Sequence, residues 1–286
     1  MKKNLLIAGY SGYKDFSLVR DFVESFANVR NPETDDLCII YDEQSDINYQ
    51  LDEYKWVIQL RKKRVTENAY ADRFKWFADV IEDSNHTHFI TADIRDVVFQ
   101  SNPFDWMKEN LKNSMVVSDE GVPHDSRGGN FTWNQVKDGF PEYTHSLAKK
   151  NVINVGVMGG DKRVGRICQR VFDMCKEVEP KIHTNNSYAF DQGAMGVLCH
   201  LTEERAFTHH SDGKETWCLT MSVMADSLPE VWVLNENLCN PEGQPYAIVH
   251  QYDRFDVLEY KGQGRFSIVK DGKTYDDKVK IELNGL

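Results

Sequence analysis

Two carboxylates three positions apart, Asp93 and Asp96, with Arg95 between them, follow directly on His88-Phe89-Ile90-Thr91-Ala92, a run with the aromatic and β-branched content of a buried strand. Placing two acids and a base where such a strand ends costs solvation. Carboxylates tolerate each other at that separation when a divalent cation lies between them, because hard cations prefer oxygen ligands and cancel the like-charge repulsion. The pair therefore points to a metal that itself holds phosphates. For a bare D-x-x-D the alternative is an Asp–Arg salt bridge, or an aspartate capping a helix beyond a turn.

The surrounding residues favour the metal. The segment from Ala92 to Phe104, ADIRDVVFQSNPF, is preceded by the helix-like YADRFKWFADVIED. Together they resemble the acidic-motif region of metal-dependent glycosyltransferases with the GT-A fold, especially small nucleotide-diphospho-sugar transferases that read roughly D-x-R-D-V-x-F-Q-x-x-P-F. Weaker echoes at NVGVMGG, AFDQGAM and IVHQYDRF extend the likeness over most of the chain. The resemblance implies Asp93 as a ligand of manganese or magnesium, with Asp96 second, the ion bridging the α- and β-phosphates of a donor. It departs from the common D-x-D, since position 95 is Arg and position 91 is Thr. Arg95 is then expected to pair with Asp96 or to reach a phosphate.

The same resemblance places Tyr10 and Ser11 near the donor nucleoside, Arg73 against its phosphates, and Asn154 and Gly156 at the sugar pocket. It sets Asp191 and Gln192 beside the sugar's reactive face, although the asparagine that often follows four residues later is Gly196 here. It makes His250 the residue that completes the metal site, whereas a lone histidine after a buried strand is otherwise more often structural. Bland readings stand beside two of these: Arg73 in a surface ion pair with Asp72 or Glu67, and Asp191 as the cap of a helix starting at Gln192.

Strand and helix signals supply the frame. Leu5 to Ala8 is a short apolar strand, Gly9 to Tyr13 a turn, and Phe16, Val19, Phe22, Val23 and Phe26 the stripe of a helix, the opening of a nucleotide-binding α/β unit. Leu37 to Tyr41 and Trp56 to Leu60 read as the next strands, followed by Arg61-Lys62-Lys63-Arg64, a basic cluster that reads first as a solvated surface run. A helix from about Asn68 to Glu82 puts Tyr70, Phe74, Phe77 and Ile81 on one buried face, with Arg73 beside it. Met115 to Ser118 is a strand closed by Asp119-Glu120-Gly121, where acids at a strand's carboxyl end are candidates for acceptor contact or general base work. Residues 121–143 show no period and suit an acceptor-binding lid with His124, Arg127 and Trp133. Ile153 to Gly160 is a strand whose glycines imply a close approach to its backbone. A core helix spans Val164 to Val178. Trp232 to Leu234 and Ala247 to Val249 are further strands, the second delivering His250, and a terminal hairpin turns at Asp271-Gly272.

Composition bounds the rest. The 286 residues can form one large domain, expected as a nucleotide-binding half over 1–110, a sugar and acceptor half over 111–255 and a terminal hairpin over 256–286. A net charge of −11, from 34 basic and 45 acidic side chains, argues against nucleic acid or an anionic membrane as partner. No stretch has the length of a membrane span, and LLIA is too brief for a signal core. Six scattered cysteines without a C-x-x-C pair read as buried free thiols of a cytoplasmic protein. The expected fold is α/β: a GT-A, Rossmann-like mixed central sheet flanked by helices, with a C-terminal β-rich extension. The expected reaction moves a sugar from a nucleotide-diphospho-sugar, a UDP-sugar first, to a hydroxyl of a glycan or glycoconjugate. If configuration is retained, Asp191 and Gln192 flank the anomeric carbon; if it is inverted, Asp119, Glu120 or Asp191 is the base. A sugar-phosphate nucleotidyltransferase and a non-catalytic carbohydrate-binding protein are the alternatives.

Overall fold

The computed structural model describes residues 3–12, 15–45, 48–111, 114–178, 190–221, 231–256, 258–270, 273–275 and 279–281. The first half runs β1 (Asn4–Tyr10), α1 (Ser17–Val29), β2 (Asp35–Tyr41), α2 (Asn48–Leu51), β3 (Val57–Arg61), α3 (Ala69–Asp83), β4 (His88–Ala92), β5 (Val97–Phe99) and α4 (Pro103–Asn110). There follow β6 (Met115–Pro123), α5 (Asn130–Gly139), α6 (Thr144–Leu147), β7 (Asn151–Gly160), α7 (Arg163–Val178) and α8 (Asp191–Leu201). The last third is strands: β8 (Thr208–Ser211), β9 (Cys218–Thr220), β10 (Val231–Leu234), β11 (Asn237–Cys239), β12 (Ile248–His250), β13 (Leu258–Gly262), β14 (Arg265–Lys270), β15 (Lys273–Tyr275) and β16 (Val279–Ile281).

Seven strands form the central sheet in the order β3-β2-β1-β4-β7-β6-β8. Strands β3, β2, β1 and β4 are parallel, while β7 runs against both β4 and β6. The chain steps from β1 outward to β2 and β3 and then returns to the other side of β1. A crevice therefore opens at the carboxyl ends of β1 and β4, where such reversals place ligands. Tyr10 and Asp93 stand at those two ends. The sheet is mixed and carries helices, as expected, and the expected β-rich extension is present as three small sheets.

Helix α1 lays Phe16, Val19, Phe22, Val23 and Phe26 into one core under β1, β2 and β5, each fully buried aliphatic or aromatic side chain contributing about 2 kcal/mol. On the other face α3 and α7 pack together so closely that a Cβ on Gly165 would lie 2.8 Å from Ile81. Phe74, Phe77 and Ile81 are buried there, but Tyr70 is 55% exposed. The period is right for burial; Tyr70 escapes it because it stands in the first turn of α3, where it lines the pockets of the crevice.

Three expectations are corrected. Strand β6 does not end at Ser118 but runs through Asp119 and Glu120 to Pro123, paired with β7. Residues 130–139 of the supposed lid are helix α5, its Gln135 accepting from the Gly193 backbone N–H at 3.0 Å. His124 is buried and Trp133 packs on the core, so neither is an exposed acceptor contact. The terminal segment is more than a hairpin: β13, β14 and β15 form an antiparallel meander and β16 returns to β10. The expected turn at Asp271-Gly272 lies outside the described residues, as do residues 187–189 before Phe190.

Candidate metal and donor site

Asp93, Ile94, Arg95 and Asp96 are the whole link between β4, which ends at Ala92 in the central sheet, and β5, which begins at Val97 in the sheet β5-β12-β9. The backbone is held at both ends. The Asp93 N–H donates to the Gly156 carbonyl at 2.6 Å, and the Asp96 carbonyl accepts from the Gln251 N–H at 2.7 Å. Antiparallel pairing of β12 with β5 sets His250 opposite Val97, one residue beyond Asp96. That register brings the histidine to acids far removed from it along the chain.

His250 Nε2 lies 3.6 Å from Asp93 Oδ2 and 3.6 Å from Asp96 Oδ1. These are the one group of three metal-ligating side chains within reach of one another among the described residues. Each acid gives its other oxygen to an arginine: Asp93 Oδ1 accepts from Arg73, and Asp96 Oδ2 is 3.3 Å from Arg254 Nη2. Two oxygens and one nitrogen are thus left converging. The ring is 1% exposed, yet neither His250 nitrogen has a hydrogen-bond partner. Separations of 3.6 Å are long for hydrogen bonds and close to the edge of a polyhedron around an ion with bonds of about 2.1 Å, where neighbouring ligands lie about 3.0–3.4 Å apart. Two carboxylate oxygens and an imidazole nitrogen form a donor set for a divalent ion. The residues present fit such an ion.

The electrostatics describe the same trio without it. Burial pulls the His250 imidazolium down, but Asp93 and Asp96 outweigh that and push its pKa up to about 9. Burial raises the Asp96 carboxyl, and His250, Arg254 and Arg95 more than reverse this, bringing it to about 2. An ion bound through His250 Nε2 would have to displace that proton.

Gly156 is the floor of this site. A Cβ there would lie 2.2 Å from His250 Cε1 and 2.7 Å from Nε2. The glycine inside β7 thus leaves room for the ligand ring, in line with the close approach that its position implied. Gly156→Ala is expected to keep the fold, with circular dichroism unchanged, while manganese affinity by calorimetry falls about tenfold or more. Unchanged affinity would mean that the ring does not need that space.

Two contiguous pockets meet at Asp93. One is lined by Gly9, Tyr10, Ser11, Arg73, Trp76 and the Asp93–Asp96 segment with Arg254; the other by Tyr70, Arg73, Asp93, Asn154, Gly156, Asp191, Gln192 and His250 among others. Tyr10 stacks on Tyr41 with ring centres 5.8 Å apart, and the Ser11 hydroxyl donates to the buried Asp42 carboxylate. Arg73 spans both pockets. Its guanidinium reaches Asp93 through Nη1 and Asp191 Oδ2 through Nη2 at 3.0 Å, so the surface pair with Asp72 or Glu67 is not formed. Asp72 instead accepts from the Val65 and Thr66 backbone. Burial works against the Arg73 charge, and the two acids overcome it and hold the guanidinium protonated.

Asp191 opens α8 after Phe190, which sits at φ 54°. It accepts from its neighbour's N–H at Gln192, 2.8 Å, and from Arg73; the helix cap at Phe190 uses no side chain. Burial raises the Asp191 carboxyl and Arg73 opposes this. Asn154 Nδ2 and Gln192 Nε2 both donate to Glu120 Oε1, at 2.8 and 3.0 Å. Burial pushes the Glu120 carboxyl up to about 7 against those hydrogen bonds.

Not every expected residue arrives. Asp119, next to Glu120 on β6, faces the other way, 3.6 Å from His210 Nδ1, because successive strand residues point to opposite faces. It does not line either pocket. Arg95 bonds Asp253 at 2.8 Å and edges the first pocket. Lys62 sits 3.7 Å from Asp79 on α3, and Arg64 bonds the Glu67 carbonyl, so this basic run serves the surface. The residue that sequence reasoning missed is Arg254. It stands on the short 3-10 turn Tyr252–Arg254 just after His250, within the run IVHQYDRF.

No protein-family profile matches the sequence, and no curated protein matches it. The fold is similar to that of solved structures, among them the apo crystal structure of mouse xyloside xylosyltransferase 1. That similarity has a TM-score of 0.52 at 11% sequence identity and covers 87% of this chain and 96% of that chain. At this identity the likeness shows the fold, a mixed α/β glycosyltransferase-like sheet with added C-terminal strands.

Proposed function

We propose that the protein is a metal-dependent glycosyltransferase that moves a sugar from a nucleotide-diphospho-sugar, with UDP the first nucleotide to try, to a hydroxyl of a glycan or glycoconjugate. The observation that carries this is the convergence of Asp93 Oδ2, Asp96 Oδ1 and His250 Nε2 at the crevice between β1 and β4. The glycosyltransferase-like fold supports the reading, as does the pair of pockets meeting at that point.

Asp93, Asp96 and His250 would hold manganese or magnesium, which supplies Lewis-acid neutralisation of the diphosphate as it leaves. The chain's own residues do the rest. The pocket with Tyr10 and Ser11 takes the nucleoside end, and Arg73 and Arg254 add positive charge along the phosphates. The second pocket takes the sugar, with Asp191, Gln192 and Asn154 as its polar edge. Asp191, held by Arg73 and bonded to the Gln192 N–H, is the carboxylate of that edge. Six buried free thiols agree with a cytoplasmic setting, and no helix among the described residues is long and apolar enough to cross a membrane.

The test is a screen of nucleotide-sugars for slow hydrolysis with and without manganese. Release of nucleoside diphosphate supports the transferase; release of pyrophosphate would move the protein to the nucleotidyltransferases, and no metal-dependent heat with any nucleoside diphosphate would leave only a binding module.

Metal binding has a pH signature. His250 must be neutral to bind, and its proton in the metal-free protein is held up to about 9. Manganese affinity is therefore expected to rise about tenfold per pH unit from 7 toward 9. At pH 7.5, calorimetry in two buffers of different ionisation enthalpy should show about one proton released per ion. Buffer-independent heats would place the metal elsewhere. Stability of the metal-free protein runs the opposite way. The raised His250 pKa contributes fully below 6.5 and is lost as pH climbs through about 9; the depressed Asp96 pKa contributes above 3.8 and is lost as pH falls through about 2.

A further inference from the structure

Glu120 is 1% exposed and sits behind the sugar pocket without lining it. Two side-chain amides from different elements, Asn154 of β7 and Gln192 of α8, converge on the same oxygen, Oε1. An amide has one donor end and one acceptor end, so engaging one fixes the direction of the other. Asn154 is locked at both ends, since its Oδ1 accepts from the Gly156 N–H at 2.7 Å. That bond also steadies the glycine on which His250 rests. Gln192 has its nitrogen turned back to Glu120, and its backbone N–H is taken by Asp191.

We propose that Glu120 is a positioning residue: by taking the amide nitrogens of Gln192 and Asn154 it turns Gln192 Oε1 into the sugar pocket, so that this edge of the pocket accepts hydrogen bonds and selects a ligand that donates a hydroxyl there. Without Glu120 the Gln192 amide is free to flip and to present NH2 groups instead. The role follows from geometry and differs from that of a general base, for the two amides stand between Glu120 and the cavity. It rests on the glycosyltransferase reading for the nature of the ligand, and on the hydrogen bonds alone for the orientation.

Glu120→Gln keeps an oxygen able to accept from both amides, whereas Glu120→Ala removes it. With a hydrolysable nucleotide-sugar and manganese, E120Q is expected to retain kcat within about threefold, and E120A to lose about 30-fold in kcat, the size usual for removing an orienting partner. A base would instead be lost equally in both variants, by about 100-fold or more, and that result overturns the proposal. The same holds if E120A matches the parent. A second readout does not depend on turnover. In 15N spectra of the full chain, the Gln192 side-chain amide, assigned by its loss in Q192A, should be shifted and slow to exchange in the parent and in E120Q, and ordinary in E120A. An amide unchanged in E120A sinks the proposal even if activity falls. If the parent hydrolyses no nucleotide-sugar, the transferase reading fails, while the amide spectra still judge the orientation.

Discussion

Asp93→Ala is expected to lower manganese-stimulated donor hydrolysis by about three orders of magnitude, the size of losing several kcal/mol of charge stabilisation as the diphosphate departs. The protein should stay folded. Asp93 is the more open of the two acids, with 28% of its side chain exposed, and Arg73 keeps Asp191 as a partner when it is gone. Calorimetry should show manganese affinity falling along with turnover, because one of three converging ligands is removed. Metal-stimulated hydrolysis at the parent rate in this variant would refute the assignment of the site, whatever the fold resembles.

Arg73→Leu is expected to have the largest effect on stability. The guanidinium lies between Asp93 and the nearly buried Asp191, and its removal leaves two facing acids with no cation between them. Breaking such a pair by deleting one partner costs about 3 kcal/mol. The sign with pH is set by Asp191, whose carboxyl burial already raises against the pull of Arg73. Without the arginine it rises further. A raised folded value means the native state binds the proton, so the variant keeps more of its stability at pH 5 and loses it as pH rises toward 8. Urea midpoints at the two pH values measure this. Equal destabilisation at both would show that Asp191 is not held by Arg73. Donor turnover should fall as well, since the same guanidinium faces both pockets.

The run HFITA ahead of Asp93 has strand chemistry whatever it packs on, and Ala92 ends β4 where that chemistry ends. The stripe Phe74, Phe77 and Ile81 told which face of α3 is buried and so put Arg73 at its border. Gly156 announced a close neighbour, though not that the neighbour is His250. Tyr70 shows the weakness of the same reasoning. Helical period says that a residue shares a face, but a face is buried only where another element covers it.

Alternation along β6 separates Asp119 from Glu120. Both acids satisfied the rule for a strand's carboxyl end as long as the strand was taken to stop at Ser118. Once β7 pairs with it further, the two point to opposite sides, and one of them leaves the site. Strand length there depends on a partner thirty residues downstream, which no local pattern records.

Local chemistry in the chain itself determined that a buried strand empties into paired acids, that a glycine-interrupted strand and a helix with a bordering arginine accompany them, and that the whole is a mixed α/β protein. Only the tertiary structure decided which atoms converge. Pairing of β12 with β5 carries His250 to Asp96, and the reversal of strand order between β1 and β4 opens the crevice beside them. Both are matters of register between segments far apart in sequence. Register is set by the packing of whole sheets, not by the residues that end up facing one another at Asp93, Asp96 and His250.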